Sequence, residues 1–429
     1  MRNYTRSEQL AERLKKVIPS GAQTYSKSAR YYCEGAGPVV LERGKNGHVW
    51  DVDGNEFVDF VLGLGAISVG YGIDSIDSKI REQLERGIAF TLANELEILL
   101  AEKLVEIIPC AEMVRFVKNG TDATTAAVRL ARAYTGRDHV LMAGYHGWQD
   151  WSIGTTPNDL GIPEDVKALS HKFIYNDLDS VQALLEKRRG KVAAIILEPA
   201  NQVVPDSDFL PELRKMATEA GAVLIFDEVV SGFRMSLGGG QSYFGVTPDL
   251  ACFGKGMANG ASVSALVGRK ELMGLIDAGA FVSSTHGGEA LSLAAALATI
   301  QYLERPGVIE RVWDLGDRLF KGAAALVEEH ALADVIRFSG YACHPGMQFS
   351  EKNGLSVPEL VSVFQQAMLD NGILCLPVSN FCATHSNADM DAYINALSAA
   401  LANVAKAVRA GSVDGLVRGK VFNPIFKRT

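Results

Sequence analysis

The chain has 429 residues, 48% of them hydrophobic and 21% charged, with a formal net charge of -8. That is enough chain to bury a sizeable core in two lobes, and the modest acidic charge, with no basic run, argues against a nucleic-acid or anionic-membrane surface. The N-terminus leads into charged residues rather than an apolar core, and no apolar stretch is long enough to span a bilayer. Cys33, Cys110, Cys252, Cys343, Cys375 and Cys382 lack CxxC spacing, so a cytoplasmic protein with reduced thiols is expected.

In chain order, residues 7–17 read as an amphipathic helix ended by Pro19-Ser-Gly21. His48 to Asp59 reads as two strands around an Asp53-Gly54 turn. From about residue 75 to 300, strand-like runs (113–117, 140–142, 193–197, 223–226, 250–253, 263–267) alternate with helical patterns (96–107, 122–134, 210–220, 290–303). Such alternation predicts an α/β fold with a mainly parallel sheet covered by helices. Long helices are expected near 308–329, 357–370 and 387–409. The expected organisation is a large domain over 71–305 and a smaller α+β domain from both termini, 1–70 and 306–429.

The chemistry concentrates at two strand ends. The run Ala222 to Phe226 delivers Asp227, and the run Leu250 to Phe253 delivers Lys255 between Gly254 and Gly256. Alone, Lys255 reads as a lysine in a glycine turn and Asp227 as a capping or ion-paired carboxylate. Together they form the pair that pyridoxal 5'-phosphate (PLP) chemistry needs: an amine for a Schiff base and a carboxylate to keep the pyridine nitrogen protonated. Val229 can pack on a ring face or simply in the core, and Glu228 can serve a structural ion pair. Val117-Lys-Asn-Gly120-Thr121 reads strand, turn, helix start. It suits a phosphate at a helix N-terminus or an ordinary Asn-Gly turn with its cap. In Ala143-Gly-Tyr145-His146-Gly-Trp148-Gln-Asp-Trp151, Tyr145 can stack on a ring face. Trp148 and Trp151 can wall a substrate pocket or form a small hydrophobic cluster under the loop. The histidines show no ligand spacing, so no metal is expected.

These motifs, in this order, resemble the class III PLP-dependent aminotransferase family, and within it glutamate-1-semialdehyde 2,1-aminomutase and its aminotransferase relatives. The resemblance implies fold type I, with a seven-stranded type of sheet in the large domain and a homodimer with shared active sites. It places Lys255 on the Schiff-base lysine, Asp227 on the pyridinium partner, Gly120 and Thr121 on the phosphate-binding Gly-Thr, and Tyr145 on the ring-stacking aromatic. Glu198 falls beside the substrate pocket, and Thr285 on the threonine that reaches the neighbouring subunit's cofactor. Lys27, in Thr24-Tyr-Ser-Lys27, stands where the aminomutase has a carboxylate-gripping arginine, and lysine lacks the bidentate fork. Leu64 stands in place of a pocket tryptophan, the loop after Pro199 is short, and Gly288-Glu-Ala290 replaces Gly-Asn-Pro. Lys27, His146, Trp148 and Glu198 are therefore the candidate pocket residues.

The implied activity is transfer of an amino group from a small-molecule donor to a ketone or aldehyde without an α-carboxylate, a keto sugar among the candidates, by a ping-pong route. The alternatives are intramolecular transfer of the aminomutase type, a PLP decarboxylase or racemase, and a PLP-binding protein without turnover.

Overall fold

The structure is a computed structural model in which residues 2–423 are described. Contacts divide the chain into two units. One holds residues up to Gly65, Val69–Ile73 and the chain from Glu310; the other holds Ala66–Ser68 and Asp74–Ile309. The cut expected at residue 70 thus falls in a stretch that changes unit repeatedly. The second change falls inside the helix Val308–Glu329 rather than at 305. Residues 424–429, assigned to the smaller domain from sequence, lie outside the described residues.

In the terminal unit, β1 (Leu41–Lys45), β2 (His48–Asp51) and β3 (Glu56–Asp59) form an antiparallel meander. The Asp53-Gly54 turn sits between β2 and β3, as its sequence predicts, with Gly54 at φ 85°. The middle unit contributes β4 (Met113–Val117), β5 (His139–Ala143), β6 (Ser170–Lys172), β7 (Val192–Leu197), β8 (Val223–Asp227), β9 (Leu250–Phe253) and β10 (Ser264–Gly268). Back in the terminal unit, β11 (Ile336–Tyr341) and β12 (His344–Phe349) form a hairpin, and β13 (Ile373–Leu374) joins β3 in parallel. Long helices Val357–Asp370 and Asn387–Ala410 pack against each other in this unit.

The seven strands of the middle unit make one sheet in the order β4-β10-β9-β8-β7-β5-β6. The expected mainly parallel sheet is present; only β10 runs against both of its neighbours. β7 and β8 are buried along their whole length, which explains why they read as unbroken apolar runs. β6 was not anticipated. Its Ser-His-Lys sequence carries no apolar alternation, and it forms because the exposed edge of β5 offers it a parallel partner. Reversal of both β4 and β9 relative to β10 means that β4, β5, β7, β8 and β9 all end on one side of the sheet.

Candidate active site

That shared side collects the sequence-predicted residues of the middle unit. Gly120 and Thr121 follow β4, Tyr145 and His146 follow β5, Glu198 follows β7, Asp227 ends β8 and Lys255 follows β9. Open α/β sheets bind ligands at the carboxyl ends of their strands, where successive loops diverge. Asp227 is in register with Cys252 on the neighbouring strand, so Lys255 lies three residues beyond its lateral partner. With strands about 4.8 Å apart and about 3.3 Å per residue, the two backbones stand on the order of 10 Å apart. A lysine side chain can close that gap around a six-membered ring.

Asp227 is buried, and its carboxylate is fixed on both oxygens. Oδ1 accepts the backbone N–H of Val229 at 3.1 Å, and Oδ2 meets His146 Nδ1 at 2.8 Å. The other ring nitrogen, Nε2, lies 3.0 Å from the Ala143 carbonyl, which can only accept, so Nε2 carries a hydrogen. Burial of a carboxyl group without partners would be unfavourable, and these two contacts supply them. His146 was expected at the substrate pocket. It lies instead behind Asp227, with no exposed side-chain surface, stacked parallel to Trp151 at 6.3 Å. Trp151 is likewise no pocket wall: it is buried and donates from Nε1 to Thr125 Oγ1 at 3.0 Å.

The helix Gly120–Thr135 starts at the residues proposed for the phosphate cradle, with Asp122 accepting the Asn119 N–H at 2.9 Å. The first N–H groups of a helix lack intrahelical acceptors and favour an anion. Thr121 Oγ1 is buried there with no hydrogen-bond partner. A hydroxyl so placed calls for an explanation, since buried polar atoms are nearly always satisfied. Glycine is obligatory around it. A Cβ on Gly120 would stand 2.8 Å from Val229 Cγ2, and one on Gly147, at φ 111°, would lie 2.2 Å from Thr121 Oγ1. Val229 also approaches Gly254, at 3.7 Å from a Cβ built there. An orphaned hydroxyl, a helix start stripped of Cβ atoms and a clamped carboxylate are the donor set that a phosphorylated pyridine fits.

The remaining candidates are distributed as follows. Tyr145 and Trp148 are exposed on the loop after β5, Trp148 at 66%. Glu198 is half-buried, with Oε1 3.3 Å from a Cβ built on Gly144. Thr285 is exposed on the turn before the helix Ala290–Leu303. Lys27 ends the short 3-10 turn Tyr25–Lys27 of the terminal unit, exposed. Glu228 is fully buried and accepts from Ser231, from Gly240 N at 2.7 Å and from Gln241 N at 2.8 Å. Burial pushes its carboxyl up, and it holds the start of the helix Gly239–Phe244 rather than facing a ligand. Sequence reading missed the ion pair of Lys118 with Glu289 at 2.8 Å. Glu289 also caps the helix Ala290–Leu303 through Leu291 N and Ser292 N. The Glu three residues ahead of Ser292 was the available signal.

The aminotransferase class-III family model matches residues 31–401. The chain belongs to the class III aminotransferases. It is 36% identical over 410 residues to the 3-aminobutyryl-CoA aminotransferase of Cloacimonas acidaminovorans (strain Evry), covering 94% of this chain and 98% of that protein. It is 35% identical over 428 residues to the glutamate-1-semialdehyde 2,1-aminomutase of Syntrophobacter fumaroxidans, covering 93% and 98%. Among solved structures, the FumI protein of Sphingopyxis sp. MTA144, in its PLP internal aldimine form, superposes with a TM-score of 0.87 at 28% identity, covering 95% of this chain and 98% of that one. This class III enzyme is a PLP-dependent transaminase of fold type I, and the expected cofactor and reaction class stand. Among the described residues, no helix is long and apolar enough to cross a membrane and no group of side chains suits a metal ion.

Proposed function

We propose that Lys255 is the amine that carries PLP and then moves the proton, and that the amino group passes between two separate molecules. The acceptor is a ketone or aldehyde whose carbonyl carbon bears no carboxylate. Bound PLP supplies an electron sink for the bond broken at the substrate carbon. Asp227, locked by His146 and the Val229 N–H, holds the ring-nitrogen proton in place. Gly120 and Thr121 take the phosphate, Val229 and Tyr145 cover the two ring faces, and Glu198 and Trp148 border the substrate. The observation that carries this reading is the buried His146–Asp227 pair at the end of β8, one strand away from the Lys255 turn.

Two facts support the choice of acceptor. The name of the 3-aminobutyryl-CoA relative puts the amine on carbon 3, away from the carbon next to the carbonyl. By the resemblance, Lys27 stands in place of the arginine fork that would grip an α-carboxylate. A 3-oxoacyl compound and a keto sugar are the acceptors to try first. Intramolecular transfer is the second reading, favoured by the similarity to the aminomutase. Single-turnover mixing with donor alone separates them: the transaminase releases one keto product per site, and the aminomutase releases none. Loss of the bound cofactor's visible absorbance in Lys255→Ala is the expected check on the lysine; a parent-like spectrum and turnover in that variant would overturn the assignment.

We extend the proposal to a homodimer in a reducing, cytoplasmic setting. Leu84, Ile88, Phe90, Leu92 and Ile98 expose apolar surface along one segment, Leu92 at 82%, and Phe281, near Thr285, is 74% exposed. Apolar exposure on that scale suits an interface. Thr285 would then complete the partner's phosphate site. The six free cysteines are all buried, in keeping with reduced thiols. Sedimentation at micromolar concentration is expected to give twice the chain mass.

A further inference from the structure

The turn that presents Lys255 has an unusual backbone form. Lys255 sits at φ 42°, in the left-handed region that side-chain-bearing residues avoid. The 3-10 turn Lys255–Ala258 ends at Asn259, left-handed at φ 46°. Among its local bonds, Met257 N donates to the Gly254 carbonyl at 3.0 Å and Ala261 N to the Ala258 carbonyl at 3.0 Å. Neither reaches the carbonyl of Gly256 or the side chain of Asn259.

Ser68 contacts both of these groups. Its hydroxyl donates to the Gly256 carbonyl at 2.7 Å, and its backbone N–H donates to Asn259 Oδ1 at 3.1 Å. The two bonds bracket the turn from the residue after Lys255 to the residue that ends it. Ser68 is 5% exposed and its hydroxyl bond to Gly256 is made away from water, so losing that bond leaves a buried polar group unpaired. Ile67 seals the same spot: a Cβ on Gly260 would lie 2.7 Å from its Cδ1.

The chain goes to some length to deliver this serine. Ala66–Ser68 belongs to the middle unit, while the residues before and after it belong to the terminal one. The approach runs through Leu62, Gly63, Leu64 and Gly65, all at positive φ, with Asp59 Oδ1 accepting the N–H groups of Val61 and Leu62. Two non-glycine residues in left-handed conformation persist only where the surroundings impose them, and such strain collects at functional sites.

We propose that Ser68 is a positioning residue for Lys255: it fixes the backbone turn from which the amine is presented to the cofactor. The inference rests on the reading of Lys255 as the cofactor-bearing amine. A lysine side chain has four rotatable carbons, so where its amine arrives is set by its backbone, and small misplacements at a reacting atom have large effects on rate.

The test uses PLP-loaded protein and compares Ser68→Ala and Ser68→Thr with the parent. The readouts are the pH titration of the visible absorbance of the lysine-bound cofactor, kcat and KM separately, and cofactor retention on gel filtration. Ser68→Ala is expected to move the titration midpoint by about half a pH unit or more. Its kcat should fall about tenfold, with KM within about twofold and the cofactor retained. Ser68→Thr, which keeps the hydroxyl, should return the midpoint and kcat toward the parent. A Ser68→Ala protein that is less heat-stable yet titrates and turns over like the parent would overturn the proposal. If Ser68→Ala does not fold, Asn259→Gly removes the other contact while allowing the left-handed backbone, and carries the same expectations. Lys255→Ala separates the two levels. If it keeps the absorbance, the reading of Lys255 fails; if it loses it while Ser68→Ala behaves as parent, only the positioning role fails.

Discussion

A buried hydroxyl without a partner gains when a ligand supplies one. Thr121 Oγ1 is such a group, and the consequence can be measured without catalysis. In Thr121→Val the apoprotein is expected to be as stable as the parent or slightly more so, because a desolvated polar atom is removed. Its affinity for PLP should fall about tenfold, the worth of one hydrogen bond to a phosphate. Equilibrium dialysis and thermal unfolding of the apoprotein read the two effects. Asp227→Asn keeps the shape of the side chain but not its charge, and alters the contact with His146. Its kcat is expected to fall by at least about 100-fold, measured with any active donor. At this scale the sequence reads best next to secondary-structure boundaries: Asp227 does end a strand and Gly120 does start a helix. It was silent where partners are distant. His146 and Asp227 are 81 positions apart, and Ser68 and Asn259 are 191 apart. Aromatic neighbours made His146 and Trp151 look like pocket residues, because nothing local signals which side of a loop is buried.

Elements were easier to read than residues, for a physical reason. The strands β4 and β9 and the helix Ala290–Leu303 match their expected bounds; β9 is a buried apolar run ended by glycine and the helix is mostly buried and apolar, while β4 is only partly buried and is followed by Lys118. Short edge elements such as β6 owe their form to a neighbour rather than to their own pattern. The helix Ala290–Leu303 also shows how an element holds a site segment in place. Its cap, Glu289, accepts two backbone N–H groups and pairs with Lys118, which precedes the Asn119-Gly120 turn. Lys118 and Glu289 are both partly buried, and the pairing lowers the Glu289 carboxyl below its usual range despite desolvation. Glu289→Ala is expected to lose about 1–2 kcal/mol of stability, mostly from the cap. Urea unfolding checks this, with an unchanged m-value as the sign that only stability moved.

The whole molecule carries an acid sensitivity located in the terminal unit. His385 stacks on Phe60, accepts the Cys382 N–H at Nδ1 and has its Nε2 buried without a partner. Burial pushes its pKa down to about 4, against a milder opposing pull from Asp389 and Asp59. A folded-state pKa below the unfolded value means that the native state binds fewer protons. The stabilisation is therefore complete above pH ~6.5 and is lost as pH falls toward about 4. The full loss is on the order of 3 kcal/mol. Thermal midpoints taken from pH 7 to 4.5 should fall steeply in the parent and more gently in His385→Asn.

The reversed strand of the middle unit has a consequence for insertions. Because β10 runs antiparallel to β9, the chain needs no helical crossover between them, and residues 254–263 make the whole return. The amine therefore sits on a short closed arc anchored at both feet, whereas the loop between β5 and β6 spans residues 144–169 and exposes Leu160 completely. Inserted residues near Leu160 would bulge into solvent and leave the chemistry intact. A single extra residue in the arc after Phe253 would swing the lysine off its bearing. Length is thus tolerated in the one segment and not in the other, and a one-residue insertion at each place, assayed for turnover, is expected to separate them.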